Sequence, residues 1–173
     1  MVLGAVGVVF LLGAGVYAEE EGELTDEMRE AIVQDCGSIR QSLQSVQRAD
    51  ARTRVLLGTT YQTVLTNFVT PLNLRLVKEG KLNTELTDVQ LDLIATREAF
   101  SQQFVRYSKE LEELLAIDCK ERPDDFYAQL GRTRQARARL SLATRAVNLV
   151  LDTHEAAVGE LKAGLGQETE GDE

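Results

Sequence analysis

From Cys36 onward, apolar residues recur at three- and four-residue steps, the spacing of one helix face, and no strand-like alternation persists. The first stripe is Cys36, Ile39, Leu43, Val46, then Leu57, Tyr61, Val64, Phe68, Leu72 and Leu76. It predicts a helix over about 36–79, stopped by Gly80, a residue suited to the left-handed position after a helix end. Thr87 with Gln90 has capping-box spacing, so a second helix starts near 84 to 87 and runs to about 120. Its stripe is Val89, Leu93, Phe100, Phe104, Tyr107, Leu111, Leu114 and Leu115. Pro123 suits the first turn of a third helix over 123–163, with Asp124 and Asp125 at its positive end. Phe126, Leu130, Leu140, Val147, Leu151, Val158 and Leu161 form its stripe, and Gly164 and Gly166 should end it. Pro71 should kink the first helix or end it early.

The predicted fold is all-α: an elongated antiparallel three-helix, coiled-coil-like bundle over 36–166. A short amphipathic helix within the acidic segment 19–35 precedes it, and an acidic, disordered tail over 167–173 follows. The composition agrees. Of 173 residues, 5% are aromatic, none is Trp and only 2 are Pro, which disfavours β-sandwiches and barrels.

The chain opens on an uncharged apolar run, Val2 to Val16, ending Val16-Tyr17-Ala18 before Glu19, Glu20, Glu21 and Glu23. Residues 1–18 read as a secretory signal peptide cleaved after Ala18. The rival reading is an uncleaved anchor, since eighteen residues span roughly 27 Å as a helix. No Lys or Arg precedes the run, which points to a start codon further upstream. Either reading places the remainder outside the cytoplasm, secreted or in the envelope. Membrane contact is then expected only through the N-terminal segment, if it is uncleaved.

Cys36 opens the first helix and Cys119 closes the second. A hairpin turning near Gly80 brings them to one level, and in an exported chain that favours a disulfide. Closing the 84 residues from 36 to 119 is worth about 4 to 5 kcal/mol in the chain-entropy account, an upper bound. The rival, a catalytic thiol, needs a base, and the only histidine, His154, belongs near the opposite end. Asp35 and Asp118 precede the cysteines, but two carboxylates beside oxidised sulfur make a poor metal site. No metal or cofactor is expected.

By heptad count Asp50 falls on a core position, level with Arg106 and Arg137. A buried polar layer of Asp50 with one of them would fix register; the rival is a solvated face. Arg132, Arg134, Arg137, Arg139 and Arg145 occur with no acid between Asp125 and Asp152. Arg132 and Arg139 share a face, while Arg134, Arg137 and Arg145 should spread round the axis. Arg132, Arg134 and Arg139 are candidates for an anionic polymer or lipid headgroup, against internal pairing with Glu110, Glu112 and Glu113. His154 reads as a satisfied seam histidine near Asn67 or Asp88. The net charge of −9 disfavours nucleic acid as a partner. No Gly-x-Ser-x-Gly, phosphate loop, Cys-x-x-Cys or paired metal-ligand histidines occur, so no residue set nominates an enzyme.

Asp35-Cys36 with Ile39, Asp50 with Arg52 and Arg54, Gly58 with Tyr61, and Leu72-Asn73 with Arg75-Leu76 carry a resemblance. Ile117-Asp118-Cys119, Pro123, Phe126 and Tyr127 complete it. On these residues, roughly 35 to 161, the chain resembles secreted helical proteins of Saccharibacteria-type bacteria. The resemblance implies an exported helical module and carries over no ligand or catalytic residue. The functional expectation is a non-enzymatic structural or interaction module of the envelope or cell surface. It would bind a protein partner or itself through helix faces; the alternative is anion binding through the third helix.

Overall fold

The computed structural model describes residues 24–170, with side chains described through Gly164. The expected signal peptide, Glu19 to Glu23 and the last three residues lie outside that range. Three antiparallel rods form the fold. The first comprises α1 (Asp26–Val64), a π-helical turn (Leu65–Val69) and α2 (Thr70–Lys78); the second is α3 (Thr84–Ala116) and the third α4 (Pro123–Glu170). No strand occurs among the described residues.

The expected separate N-terminal helix is instead the first turns of α1. Thr25 caps it, Oγ1 accepting from the Met28 amide at 3.2 Å, with Asp26 and Glu27 at the positive end. Nothing between Asp35 and Cys36 interrupts the backbone, and Ile32 continues the stripe one turn before Cys36. Pro71 does not end the rod early. The π-helical turn precedes it, and the Thr70 amide reaches back five residues to the Leu65 carbonyl. That wider loop accommodates a proline ring that would otherwise crowd the carbonyl four residues before it. The turn also changes the phase. Buried positions step Tyr61, Leu65, Val69, Asn73, so the expected Phe68 is 62% exposed.

Gly80 ends α2 as predicted, at φ 69°. The Lys81 amide donates to Leu76 O at 2.9 Å and the Gly80 amide to Val77 O at 3.1 Å, the paired bonds of a Schellman ending. The cap of α3 is Asn83 rather than Thr87: Asn83 Oδ1 accepts from the Leu86 amide at 2.9 Å. Thr87 Oγ1 instead donates to the Asn83 carbonyl. At its far end α3 stops at Ala116, short of 120, because Ile117 turns extended and sends Cys119 toward α1. α4 runs through Gly164 and Gly166 to Glu170, where the tail was expected. Glycine weakens a helix by about 1 kcal/mol per residue without forbidding it.

Core burial divides into three clusters along the rods. Cys36, Tyr107, Leu111, Leu114, Cys119 and Phe126 lie at one end, Tyr61, Leu65, Val69, Leu93, Phe100 and Val147 in the middle. Leu76, Leu86 and Ala157 lie by the turn. The seam of α4 is a strict alternation of three- and four-residue steps: Phe126, Gln129, Thr133, Ala136, Leu140, Ala143, Val147, Val150, His154, Ala157, Leu161. Half of these are small or polar, so an apolar search alone skips them. Their small size lets α3 and α4 approach closely, and that pair makes the most extensive contact.

Two glycine substitutions separate backbone from packing effects, since a Cβ meets nothing within 4 Å at either site. Gly58→Ala, inside α1, should stabilise by about 1 kcal/mol in urea denaturation. Gly80→Ala should destabilise by about 1 kcal/mol, because alanine disfavours the left-handed backbone there.

Candidate functional site

At the end remote from Gly80, Cys36 and Cys119 form a disulfide with Cα atoms 5.6 Å apart. Both are buried. Arg40, one turn after Cys36, donates from Nη1 to Ile117 O at 3.1 Å and from Nη2 to Leu115 O at 3.0 Å. It thereby satisfies carbonyls at the α3 terminus that no helix amide reaches. Asp118 accepts from the Lys120 amide at 2.9 Å and the Glu121 amide at 3.4 Å, which holds its carboxyl below the usual range. Arg29 Nη2 lies 2.7 Å from Asp124 Oδ1, tying the start of α1 to the start of α4. That pairing lowers the Asp124 carboxyl's pKa. The cystine end is thus a structural clasp. Its sulfurs are buried, and His154 lies far along α4.

Level with Asp50 lies a partly exposed polar cluster, in which the Arg137 side chain is 58% exposed. Tyr107 Oη donates to Asp50 Oδ2 at 2.6 Å, and Arg137 Nη2 lies 3.7 Å from Asp50 Oδ1. Arg106 is exposed and takes no part. The reason is helical phase. Phe104, Tyr107 and Leu111 define the inward face, and Arg106 sits about 100° away from Tyr107. Burial first, then the bond to Asp50, pushes the Tyr107 phenol far above its ordinary pKa. Asp50 keeps partial solvent access, with 23% of its side chain exposed. The trio is a hydrogen bond with an ion pair rather than an acid–base dyad, since neither a held phenol nor a guanidinium releases its proton near neutrality.

The arginines of α4 divide between two flanks. Arg132 Nε donates to Gln129 Oε1 at 2.9 Å, and Gln129 Nε2 donates to Glu110 O and Oε2 at 3.0 and 2.8 Å. Arg132, and Arg139 one heptad on, therefore flank α3. Arg134, Arg137 and Arg145 do not scatter: at about 100° per residue they fall within roughly 80° of arc. Of the three, Arg137 meets α1, through Asp50. The proposed trio Arg132, Arg134 and Arg139 is thus split, two on one flank and one on the other. The whole level is basic. Stretches 46–58, 99–111 and 133–145 hold nine of the chain's 19 Lys and Arg but only two of its 28 acids, Asp50 and Glu110. Arg54 stacks over the Phe104 ring at 4.9 Å, which accommodates one of these charges without a carboxylate.

His154 lies on the α4 seam opposite Asn67, as expected, but it is not satisfied. Its Nε2 is buried with no hydrogen-bond partner among the described residues. Burial lowers its pKa, so the ring is neutral at neutral pH. Among the described residues no three His, Cys, Asp or Glu side chains cluster to hold a metal ion. None of the described helices is long and apolar enough to cross a membrane. No protein family, no curated protein and no solved structure matches the chain.

Tyr107→Phe and Arg106→Ala test the polar layer. The first should destabilise by about 1 to 2 kcal/mol, the scale of a bond to a charged acceptor. The second should stay within about 0.5 kcal/mol. Because the folded phenol holds its proton above the unfolded value, stability should fall as pH rises past about 10, where the unfolded tyrosine ionises first. The slope should shrink in Tyr107→Phe when denaturation midpoints are compared across alkaline pH.

Proposed function

We propose that the protein is an exported, disulfide-closed helical rod that acts by binding in the cell envelope or at a cell surface, not by catalysis. The observation that carries this reading is the buried Cys36–Cys119 cystine. Disulfides persist in oxidising compartments and are rare in the cytosol. The uncharged run Val2 to Val16 supports the same address. A long bundle offers binding surface along its length. Leu142 and Leu149, one heptad apart on the outer side of α4, are 60% and 67% exposed and suit helix-face contact with a protein partner or a second copy.

A second reading, anion binding, is favoured by the basic level around Asp50. Arg134 and Arg145 lie on the same side of α4 as Arg137, at a level that holds only two acids, Asp50 and Glu110. An anionic envelope polymer lying along the α1–α4 groove would meet them in succession. α1 and α4 make far less contact than α3 and α4.

Intact mass of protein recovered from its own cells tests the first reading. The expected mass is that of a chain starting at Glu19 and short by two hydrogens. Reduction should then lower stability by up to about 4 kcal/mol. An unprocessed chain with two free thiols would sink the proposal. For the second reading, Arg134→Gln with Arg145→Gln should abolish salt-sensitive retention on an anionic matrix. Arg132→Gln with Arg139→Gln should leave most of it; equal losses from both pairs would count against a defined groove.

A further inference from the structure

Opposite its seam, α4 turns to solvent a face that no other described element covers. Ala138, Leu142, Arg145, Leu149, Asp152 and Ala156 recur along it at three- and four-residue steps, and all six are exposed. Leu142 and Leu149 are the large apolar members, one heptad apart. The alanines beyond them leave room for a second helix to approach.

Charge along α4 is segregated about the same stretch. From Arg132 to Arg145 five arginines occur without an acid, and from Asp152 to Glu160 three acids occur without a Lys or Arg. Arg139, Arg145, Asp152 and Glu160 make no ion pair among the described residues. A helix divided in this way has one partner that suits both halves at once, namely itself reversed. With Leu149 on a two-fold axis, residues nearly equidistant from it on either side meet. Arg145 then faces Asp152 of the copy, Leu142 faces Ala156, and Arg139 on the flank falls level with Glu160. A two-fold contact makes each of these pairings twice. A parallel copy would instead set arginine against arginine and acid against acid.

We propose that the protein pairs with a second copy of itself through the outer face of α4, antiparallel, with Leu149 on the two-fold axis. This rests on the reading of helix-face binding above, and it fixes the partner and its direction. Two leucines supply little apolar area, so the reciprocal charge pairs set the orientation. The dimer is therefore weak, reversible and sensitive to salt.

Sedimentation of the oxidised chain, as its cells produce it, over a concentration series tests the pairing. A monomer–dimer equilibrium should appear at low salt and shift toward monomer at high salt. Arg145→Asp and Asp152→Arg each set like charges together on both sides of the axis, so each alone should weaken the dimer about tenfold. Both positions are exposed, so the fold should survive. An equimolar mixture of the two variants should pair to nearly the native extent, because every clash becomes a match. Leu149→Cys should form an intermolecular disulfide across the axis, whereas Leu142→Cys, displaced along the helix from its counterpart, should not. A chain that stays monomeric at low salt, single exchanges that pair as well as the native, or a mixture that gains nothing would overturn the proposal. Crosslinking from position 149 to a different protein in cells, with the purified chain monomeric, would overturn the second copy and leave helix-face binding standing.

Discussion

Register is the constraint on which the rest of the bundle depends. Two features at opposite ends of the hairpin set it: the left-handed Gly80 after α2 and the cystine joining Cys36 to Cys119. Between them the antiparallel levels follow in even steps, Asp50 with Tyr107, Gln62 with Arg97, Asn73 with Leu86. α4 then runs parallel to the first rod at a constant offset. Asp50 meets Arg137, and Tyr61 Oη donates to Asn148 Oδ1 at 3.3 Å, both 87 residues apart. A slip of one residue would break the polar contacts and turn the seam residues outward together. Polar pairs spaced along a seam specify alignment in this way more than they add stability.

Much of this was legible in the residues. Three rods, the turn at Gly80, the start at Pro123 and the meeting of two distant cysteines all follow from helical spacing and breaker positions. Asp50 was also placed correctly by heptad count. Of its partners, Arg137 follows from the same count, whereas Tyr107 escapes a search for opposite charge although the stripe itself puts it inward. The α4 seam was read through its large apolar residues, so Gln129, Thr133, Ala136 and Ala157 went unseen. Those residues bury by virtue of position, not hydrophobicity. Arg40 carried no periodic signal, because its role arises only once the α3 carbonyls come within reach.

Electrostatics divides the rod by level. The overall charge of −9 describes the ends, whereas the middle is basic on all three helices. Net charge therefore says little about what approaches the waist of the molecule, where screening limits attraction to within about 8 to 10 Å at physiological salt. Arg54 over Phe104 and Asp50 between Tyr107 and Arg137 show how some of that charge is accommodated within the fold.

The five-residue π turn has one more implication, for chain length. It behaves as a single extra residue spliced into an otherwise regular rod, and Pro71 is tolerated because that residue is there. Deleting one position between 65 and 69 would restore ordinary pitch without turning one half of the rod against the other, because the wider turn absorbs the extra residue. The proline would then clash with the tightened backbone. Homologous chains should therefore lose or keep the insertion and the proline together, as a linked pair of traits rather than two independent ones.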